Sequence, residues 1–233
     1  MLSIVTINKD NRVGLQKTIN SLQSLLGRAY QWVCIDSAST DGSVELANQF
    51  KTQNDVVISE KDAGIYNAMN KGISLAKGDY VLFLNSGDTL SSQIKSLDFM
   101  KLVTGHDLAL FGFEIRNTQR KPRSNSWRFW SMPTSHQAII YSSALLKQNP
   151  FDESYRFAAD FEHYLRINRD QLSIYSDDSA LIVNEPYGSD AHLPVLLGEY
   201  RHALIKNGYP KLWAHFVHWL KTYYLKWALR ERS

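Results

Sequence analysis

The segment from Gly78 to Asp88 constrains the fold of this chain more than any other. It contains an uninterrupted apolar run at residues 80–84, which is typical of a central strand in a parallel sheet covered on both faces. The tetrapeptide Asn-Ser-Gly-Asp follows directly and ends at Asp88. In open α/β sheets, ligands bind at the carboxyl ends of the parallel strands. The segment therefore predicts an α/β fold with a binding site at Asp88.

The first half of the chain alternates between two hydrophobic periods. Apolar runs typical of strands occupy residues 3–7, 32–35, 56–59 and 80–84. Between them, apolar side chains recur at helical spacing over residues 13–26, 44–50 and 63–76. This order is typical of right-handed βαβ units and a doubly wound sheet. The less regular second half predicts strands at residues 108–115 and 137–141 and helices at residues 161–167, 195–206 and 210–230.

The charge of the chain is unevenly distributed. The whole sequence has a net charge of +3, but residues 201–233 carry seven Lys/Arg against one acid. The body is therefore mildly acidic, which argues against a general nucleic-acid-binding protein and indicates a specialised tail. We expect one α/β domain over residues 1–190 and a basic, aromatic-rich, amphipathic helical tail over residues 191–233.

No segment has the pattern of a signal peptide or a membrane span. The N-terminus lacks a basic start, and no run of about 20 apolar residues occurs. The single cysteine, Cys34, lies in an apolar run and is predicted to be a core residue. Because one cysteine cannot form an internal disulfide, we expect a protein of a reducing compartment that is soluble or lies on a membrane surface.

Asp88 and Asp36 are the carboxylates that the strand pattern places at a ligand site. Each follows a predicted strand, and Asp88 could bind Mg²⁺ or Mn²⁺, which take oxygen ligands from one or two carboxylates plus substrate phosphates. Asp36 could accept a hydrogen bond from a base or a ribose hydroxyl. For Asp88 the alternative is a turn residue that caps the next helix. Ser39 and Thr40 are expected to cap the helix that follows them, whereas Asp36 is expected to contact the ligand.

Four segments together resemble the inverting family 2 glycosyltransferases of the GT-A fold. They are Ser-Ile-Val-Thr-Ile-Asn at residues 3–8, Ile-Asp-Ser-Ala-Ser-Thr-Asp-Gly at 35–42, Asp-Ala-Gly-Ile-Tyr-Asn-Ala-Met-Asn-Lys-Gly at 62–72 and Leu-Asn-Ser-Gly-Asp at 84–88. The resemblance covers residues 1–185 and is greatest to bacterial enzymes that assemble colanic acid and related surface polysaccharides. It implies a Rossmann-like, mostly parallel sheet flanked by helices, and sugar transfer from a nucleotide sugar.

The resemblance also implies roles for residues in these segments. Around the nucleotide it places Thr6, Asn8, Asp36, Asp62 and Asn85. Asp88 matches the metal-binding acid for Mg²⁺ or Mn²⁺. The family usually has a second acid just before it, where this chain has Gly87, so the strength of metal binding stays open.

Further along the chain, the resemblance implies an acceptor side and a catalytic base. His136 and Gln137 match the acceptor side, although His136 could equally be a packed structural residue. Asp160 matches the base that deprotonates the acceptor hydroxyl; the alternative is an acid that stabilises a helix N-terminus. Glu162 is a second candidate for the base, and could instead orient the acceptor or pair with Arg166. His192 lies where some GT-A enzymes add a late metal ligand.

The resemblance implies the partners as well. We expect UDP as the nucleotide, with GDP and dTDP as alternatives, and a polyprenyl-linked or oligosaccharide acceptor in the cytoplasm or at the inner face of the membrane. In the tail, aromatic residues at helical spacing accompany basic ones over residues 211–230. Such a stripe suits a membrane interface, or else packs on the protein or on a second copy.

Two other functions are compatible with the sequence. Gly87 in place of an acid would suit a non-catalytic sugar-nucleotide or glycan-binding subunit of a polysaccharide assembly complex, although Asp88 and Asp160 argue against it. A nucleotidyltransferase would share the strand order and the metal carboxylate. That class opens with a Gly-rich basic loop, which residues 6–14 lack.

Overall fold

A computed structural model describes residues 1–23, 30–94, 96, 98–167, 171–185 and 192–230, with side chains in the last helix described up to residue 226. The strands are β1 (Leu2–Asn8), β2 (Tyr30–Asp36), β3 (Val56–Ser59), β4 (Tyr80–Phe83), β5 (Thr89–Leu90), β6 (Leu108–Ile115), β7 (Thr118–Arg120), β8 (Ile139–Ser142) and β9 (Ile174–Val183). The helices are α1 (Arg12–Gln23), α2 (Ser43–Phe50), α3 (Ile65–Leu75), α4 (Met100–Val103), α5 (Ser143–Gln148), α6 (Ala159–Arg166), α7 (Leu193–Lys206) and α8 (Lys211–Arg230).

In the described part of the chain, the strands form one mixed sheet in the order β3-β2-β1-β4-β8-β6-β9-β5, with β7 paired to β6. The first four strands are parallel to one another, as predicted. β8 is antiparallel to both β4 and β6, whereas β9 is parallel to β6. The predicted α/β class with flanking helices is confirmed, and the second half of the sheet contains the antiparallel pairs.

Both faces of the parallel strands are buried, which explains their uninterrupted apolar runs. Successive side chains of a strand point to opposite faces. Val5 and Phe83 accordingly belong to one core cluster, whereas Ile4 and Leu82 belong to the other. Cys34 is a buried core residue, as predicted. Since the sheet is covered on both sides, its carboxyl-end edge is the part of it that can hold ligands.

Helices α7 and α8 extend the core of the α/β body. Leu204 of α7 and Ala214 and Val217 of α8 are buried in the same cluster as the sheet residues. Lys221 of α8 donates to the backbone oxygen of Trp130 at 2.6 Å. One side of the tail therefore packs on the protein. The predicted boundary at residue 190 lies outside the described residues.

The other side of α8 exposes a row of large apolar side chains, namely Leu212, Trp213, Phe216, Trp219, Tyr223 and Tyr224. The side chain of Trp227, the last aromatic residue of the predicted stripe, lies outside the described residues. None of the helices over the described ranges combines the length and the apolar content that a bilayer crossing needs.

Candidate functional site

A large open cleft of about 1360 Å³ lies at the carboxyl-end edge of the parallel strands. Its walls include the turn after β4, the start of α3, the β6–β7 hairpin, residues 131–137 and the first turn of α6. Five of the ten predicted site residues line it: Asn85, Asp88, His136, Gln137 and Asp160. The structure thus brings together side chains that are up to 75 positions apart in the sequence.

The turn at residues 85–88 is fixed by α1. The Thr18 hydroxyl accepts from the Gly87 N–H at 3.0 Å and donates to the Asp88 carbonyl oxygen at 2.7 Å. Asn11 donates its side-chain amide to the Ser86 carbonyl oxygen at 3.1 Å. Gly87 has φ +106°, a conformation that glycine adopts without strain. Buried hydrogen bonds to Thr18 therefore hold the Asp88 backbone in place.

Asp88 has the surroundings of a cation ligand. The carboxylate is almost fully buried, and Oδ1 accepts from the Glu185 N–H at 2.8 Å and from the Asn184 amide at 3.2 Å. Burial raises the Asp88 pKa to about 6, against the lowering effect of these two hydrogen bonds, and the Glu185 charge raises it further. A bound cation would offset both unfavourable effects.

The oxygen atoms at the turn fit Mg²⁺ or Mn²⁺. Asp88 Oδ2 makes no hydrogen bond to the described residues, and the buried Asn85 Oδ1 has no partner among them either. Carboxylate and amide oxygens are the ligands that such hard cations prefer. His192 also lines the cleft, but its ring stacks on Phe157 at 4.8 Å, and the described residues contain no group of three or more His, Cys, Asp or Glu suited to a metal.

Asp160 lies in the first turn of α6 and is held by two hydrogen bonds. Its Oδ1 accepts from the Tyr66 hydroxyl and from the Phe161 N–H, both at 2.9 Å. Burial and the Asp160 charge raise the Tyr66 pKa well above its usual value, so the phenol stays a neutral donor. Oδ2 of Asp160 makes no hydrogen bond within the described ranges. A carboxylate held through one oxygen and open at the other can take a proton.

His136 and Gln137 lie in the same wall of the cleft. His136 is 6% exposed, stacks on Phe83 at 5.0 Å and contacts the Tyr141 hydroxyl through Nδ1 at 3.2 Å. Burial lowers the His136 pKa, with the Asp160 charge acting in the opposite direction. The buried Nε2 has no partner among the described residues. His136 is thus a packed, neutral imidazole with one buried ring nitrogen that has no partner among the described residues.

Asp36 and Asn8 form a polar cluster beside the cleft and do not line it. The Asp36 carboxylate accepts from the Asn8 amide at 2.7 Å, from the Ser59 hydroxyl at 2.7 Å, and from the hydroxyl and N–H of Ser39 at 2.6 and 2.8 Å. Burial acts to raise the Asp36 pKa, but these hydrogen bonds lower it overall. A nucleotide contact at Asp36 would have to replace one of them. The role predicted for this pair stays a prediction.

Asp62 is held by an ion pair. Its Oδ1 accepts from Lys71 Nζ at 2.6 Å, and Lys71 also pairs with Glu60 at 2.6 Å. The buried Oδ2 has no partner in the described part of the chain. Asp62 lies outside the cleft lining, so its predicted nucleotide contact stays a prediction too.

The structure corrects two predicted site residues. Thr6 is fully buried in β1, and its hydroxyl accepts from the Trp32 indole N–H at 3.0 Å, so it is a core residue. Glu162 is 0% exposed and pairs with Arg166 and Lys206. Glu162 follows Asp160 by two positions, which is a rotation of about 200° around the helix axis. Its side chain therefore points away from that of Asp160. Glu162 is therefore neither a base nor an acceptor contact, and its alternative pairing with Arg166 is confirmed.

Sequence reasoning missed several residues of the site, namely Asn11, Thr18, Tyr66, Asn184 and Glu185. Two signals were available. Asn184 and Glu185 directly follow the apolar end of β9, which is the same pattern that singled out Asp36 and Asp88. Thr18 is a polar residue within the buried stripe of α1.

Comparison with solved structures gives the same architecture. S. aureus TarS residues 1–349 in complex with UDP superposes with a TM-score of 0.66 at 20% identity, covering 95% of this chain and 70% of that one. A mannosyltransferase from Pyrobaculum calidifontis in complex with GDP-Man and Mn²⁺ gives a TM-score of 0.68 at 14% identity, covering 94% and 68%. At these identities the similarity establishes the fold.

Sequence comparison identifies the family. An uncharacterized glycosyltransferase of Mycobacterium tuberculosis is 30% identical over 177 residues, which are 71% of this chain and 68% of that protein. A PGL/p-HBAD biosynthesis glycosyltransferase of Mycobacterium bovis is 25% identical over 182 residues, covering 71% and 69%. The model of glycosyl transferase family 2 matches residues 3–163, more than half of the chain, and the protein therefore belongs to that family.

Proposed function

We propose that this glycosyltransferase moves a hexose from a nucleoside-diphosphate sugar to a hydroxyl of a saccharide acceptor, with inversion at the anomeric carbon. Asp160 acts as the base and Asp88 as the ligand of a divalent cation. The observation that carries the proposal is the position of two carboxylates with different surroundings in one cleft. Asp88 is buried beside a second acid, whereas Asp160 is held by a neutral phenol.

Asp88 and the turn around it bind the donor diphosphate. When bound, Mg²⁺ or Mn²⁺ stabilises the negative charge that develops on the leaving group. The chain contributes a rigid turn, since Thr18 and Asn11 fix the backbone on both sides of Gly87. Because Asp88 is already desolvated, it loses little hydration when the donor enters.

Asp160 removes the proton from the acceptor hydroxyl as that oxygen attacks the anomeric carbon. Tyr66 and the Phe161 N–H orient Oδ1, which leaves Oδ2 for the acceptor. General-base catalysis of this kind contributes about 10²–10⁴ in rate. Inversion follows from a single displacement, in which one carboxylate acts as base, as in inverting glycosidases.

The nucleotide is expected to be UDP. Among proteins of similar fold, S. aureus TarS has been crystallised with UDP and with UDP-GlcNAc, and the Pyrobaculum enzyme with GDP-Man. GDP and dTDP are therefore the comparison ligands. We propose that the nucleobase of the donor binds next to the cluster of Asn8 and Asp36, at the ends of β1 and β2.

The acceptor is proposed to be a lipid-linked saccharide in bacterial surface polysaccharide synthesis of the colanic-acid type, at the inner face of the membrane. One relative is named for PGL/p-HBAD biosynthesis, and a poly(ribitol-phosphate) beta-glucosyltransferase is 35% identical over 75 residues. The exposed aromatic row of α8 supports contact with a bilayer surface, where Trp and Tyr are favoured.

Calorimetric titration of the full-length chain with UDP, GDP and dTDP, each with Mn²⁺, with Mg²⁺ or with EDTA, tests the donor and the metal together. We expect one nucleotide to bind, and to bind more tightly with metal. Failure of all three to bind would contradict the proposal. If the nucleotide bound equally tightly in EDTA and with metal, the divalent cation would have no part in donor binding.

A further inference from the structure

Gly87 leaves a space that the side chain of Glu185 fills. A Cβ built on Gly87 would clash with the Glu185 carboxylate, since Oε2 is too close to it for a non-bonded contact and Cδ is 2.9 Å from it. Any residue other than glycine at position 87 would therefore push Glu185 away. The carboxylate group thus lies directly over the residue that precedes Asp88.

Glu185 is tied to Asp88 through the backbone. Its N–H donates to Asp88 Oδ1 at 2.8 Å, so the end of β9 and the turn after β4 are held together. Glu185 Oε1 accepts from Lys17 at 3.1 Å in a half-exposed pair, whereas Oε2 makes no hydrogen bond to the described residues. Two neighbouring carboxylates therefore each present an oxygen without a hydrogen bond in the described part of the protein.

The two carboxylates are placed to share a cation. Asp88 is 7% exposed, and the 2.8 Å hydrogen bond from the Glu185 N–H holds the two residues side by side. Both residues line the cleft together with Asn85, whose buried Oδ1 lacks a partner among the residues described. Two carboxylates and one amide oxygen match the charge and ligand preference of a divalent cation that also binds diphosphate oxygens.

We infer that Glu185 is the second carboxylate ligand of the divalent cation, contributed from the end of β9 in place of an acid at position 87. The inference rests on the proposed function and specifies its metal site. Gly87 is favoured by its φ of +106°, and the Glu185 carboxylate lies in the space that a side chain at position 87 would enter.

Mn²⁺ binding to the full-length protein tests the inference without using activity. Free Mn²⁺ is measured by electron paramagnetic resonance during titration, with and without saturating UDP. We expect Glu185→Gln to raise the Mn²⁺ Kd at least about tenfold and Asp88→Asn to raise it further. Glu60→Gln, a carboxylate paired with Lys71 outside the cleft, is the matched control and should leave Kd unchanged.

Lys17→Gln separates a ligand from a residue that acts only through its ion pair. If Glu185 served only to hold Lys17, both substitutions would weaken Mn²⁺ binding equally, and the inference would be overturned. We expect Lys17→Gln to bind Mn²⁺ at least as tightly as the wild type, because it frees Oε1. Wild-type affinity in Glu185→Gln, beside a weakened Asp88→Asn, would overturn this inference alone. A wild type that binds UDP but not Mn²⁺ would overturn the metal part of the proposed function as well.

Discussion

Tyr66 donates a hydrogen bond of 2.9 Å to Asp160, and this contact joins the first turn of α3 to the first turn of α6 in the wall of the cleft. The phenol remains neutral because burial and the neighbouring carboxylate raise its pKa well above the usual value. Asp160 consequently keeps a fixed donor on one oxygen. The position of the proposed base is thus set by a residue nearly a hundred positions earlier.

Asp160→Asn should abolish transfer and leave nucleotide binding intact. The substitution removes the proton acceptor but preserves the size of the side chain, so kcat should fall by about 10²–10⁴ while the Kd for UDP stays within about twofold. Turnover and calorimetry on the same preparation check both values. Wild-type turnover in this variant would show that the base is another residue.

Tyr66→Phe gives a graded version of the same test. Loss of one hydrogen bond to a charged group costs about 1.5–3 kcal/mol. If half of that cost appears in the transition state, kcat falls about fivefold, with KM for the donor unchanged. A change in donor KM without a change in kcat would place Tyr66 in substrate binding.

Asp88→Ala should remove the metal-dependent part of UDP affinity. The variant loses the carboxylate that is proposed to bind the cation. Titrations of UDP in Mn²⁺ and in EDTA should therefore give the same Kd. The wild type should show a difference of at least tenfold between the two conditions. If the variant kept that difference, the cation would be bound elsewhere.

The aromatic face of α8 should carry membrane binding. Deleting the helix is a poor test, because Ala214 and Val217 are core residues and their loss would uncover the body. Phe216→Ser combined with Trp219→Ser changes only exposed positions. We expect this double variant to lose flotation with vesicles of anionic lipid while its melting temperature stays within a few degrees.

A control for that experiment comes from exposed apolar residues elsewhere on the protein. Val13 and Leu102 are exposed on α1 and α4. Replacing both with serine removes a similar apolar area and should leave flotation unchanged. Equal flotation of the α8 variant and the wild type would favour self-association, which sedimentation analysis of both proteins would detect.

His163 should make the fold sensitive to acid. It is 0% exposed, and burial, with smaller effects of Arg166 and His136, lowers its pKa to about 3. Between pH 6.5 and 3 the unfolded chain binds a proton that the native protein does not. Stability therefore rises with pH in this window and falls on acidification, by up to about 1.4 kcal/mol per pH unit.

His163→Leu should flatten this dependence. Neither ring nitrogen has a hydrogen-bond partner of normal geometry among the described residues, and the Asn149 backbone acts on the ring only weakly, so an apolar side chain removes little polar stabilisation. The free energy of unfolding is measured with urea at pH 7 and at pH 5. Between these two pH values it should fall by about 2 kcal/mol more in the wild type than in the variant. Equal losses in the two proteins would assign the acid sensitivity to other groups.

The parallel half of the sheet was predictable because β1, β2 and β4 are buried on both faces, so their apolar runs are continuous. β9 was missed because Ser176, Asp177, Asp178 and Ser179 interrupt it. The orientation of β8 could not be predicted, since a short apolar run indicates burial on both faces of the sheet and does not give the direction of the neighbouring strand. The structure shows that β8 is antiparallel to both of its neighbours, β4 and β6.

The site residues differ in predictability for a similar reason. Asp88 was a candidate because it directly follows a predicted strand, whereas Asp160 was a candidate only through the resemblance of its segment to family 2 glycosyltransferases. Glu162 was wrongly included although helical periodicity separates it from Asp160. Glu185 was missed because β9, the strand that it follows, was not predicted, and because its contact with Asp88 spans 97 residues of the sequence.

A continuous stack of side chains runs from the surface helix to the proposed base. Lys221 of α8 lies 3.7 Å above the centre of the Tyr200 ring, and Tyr200 stacks on Phe161 at 4.3 Å. Phe161 is the residue next to Asp160, and Tyr200 itself lines the cleft. The packing of α8 on the body therefore continues through three side chains to the residue beside Asp160, the proposed base.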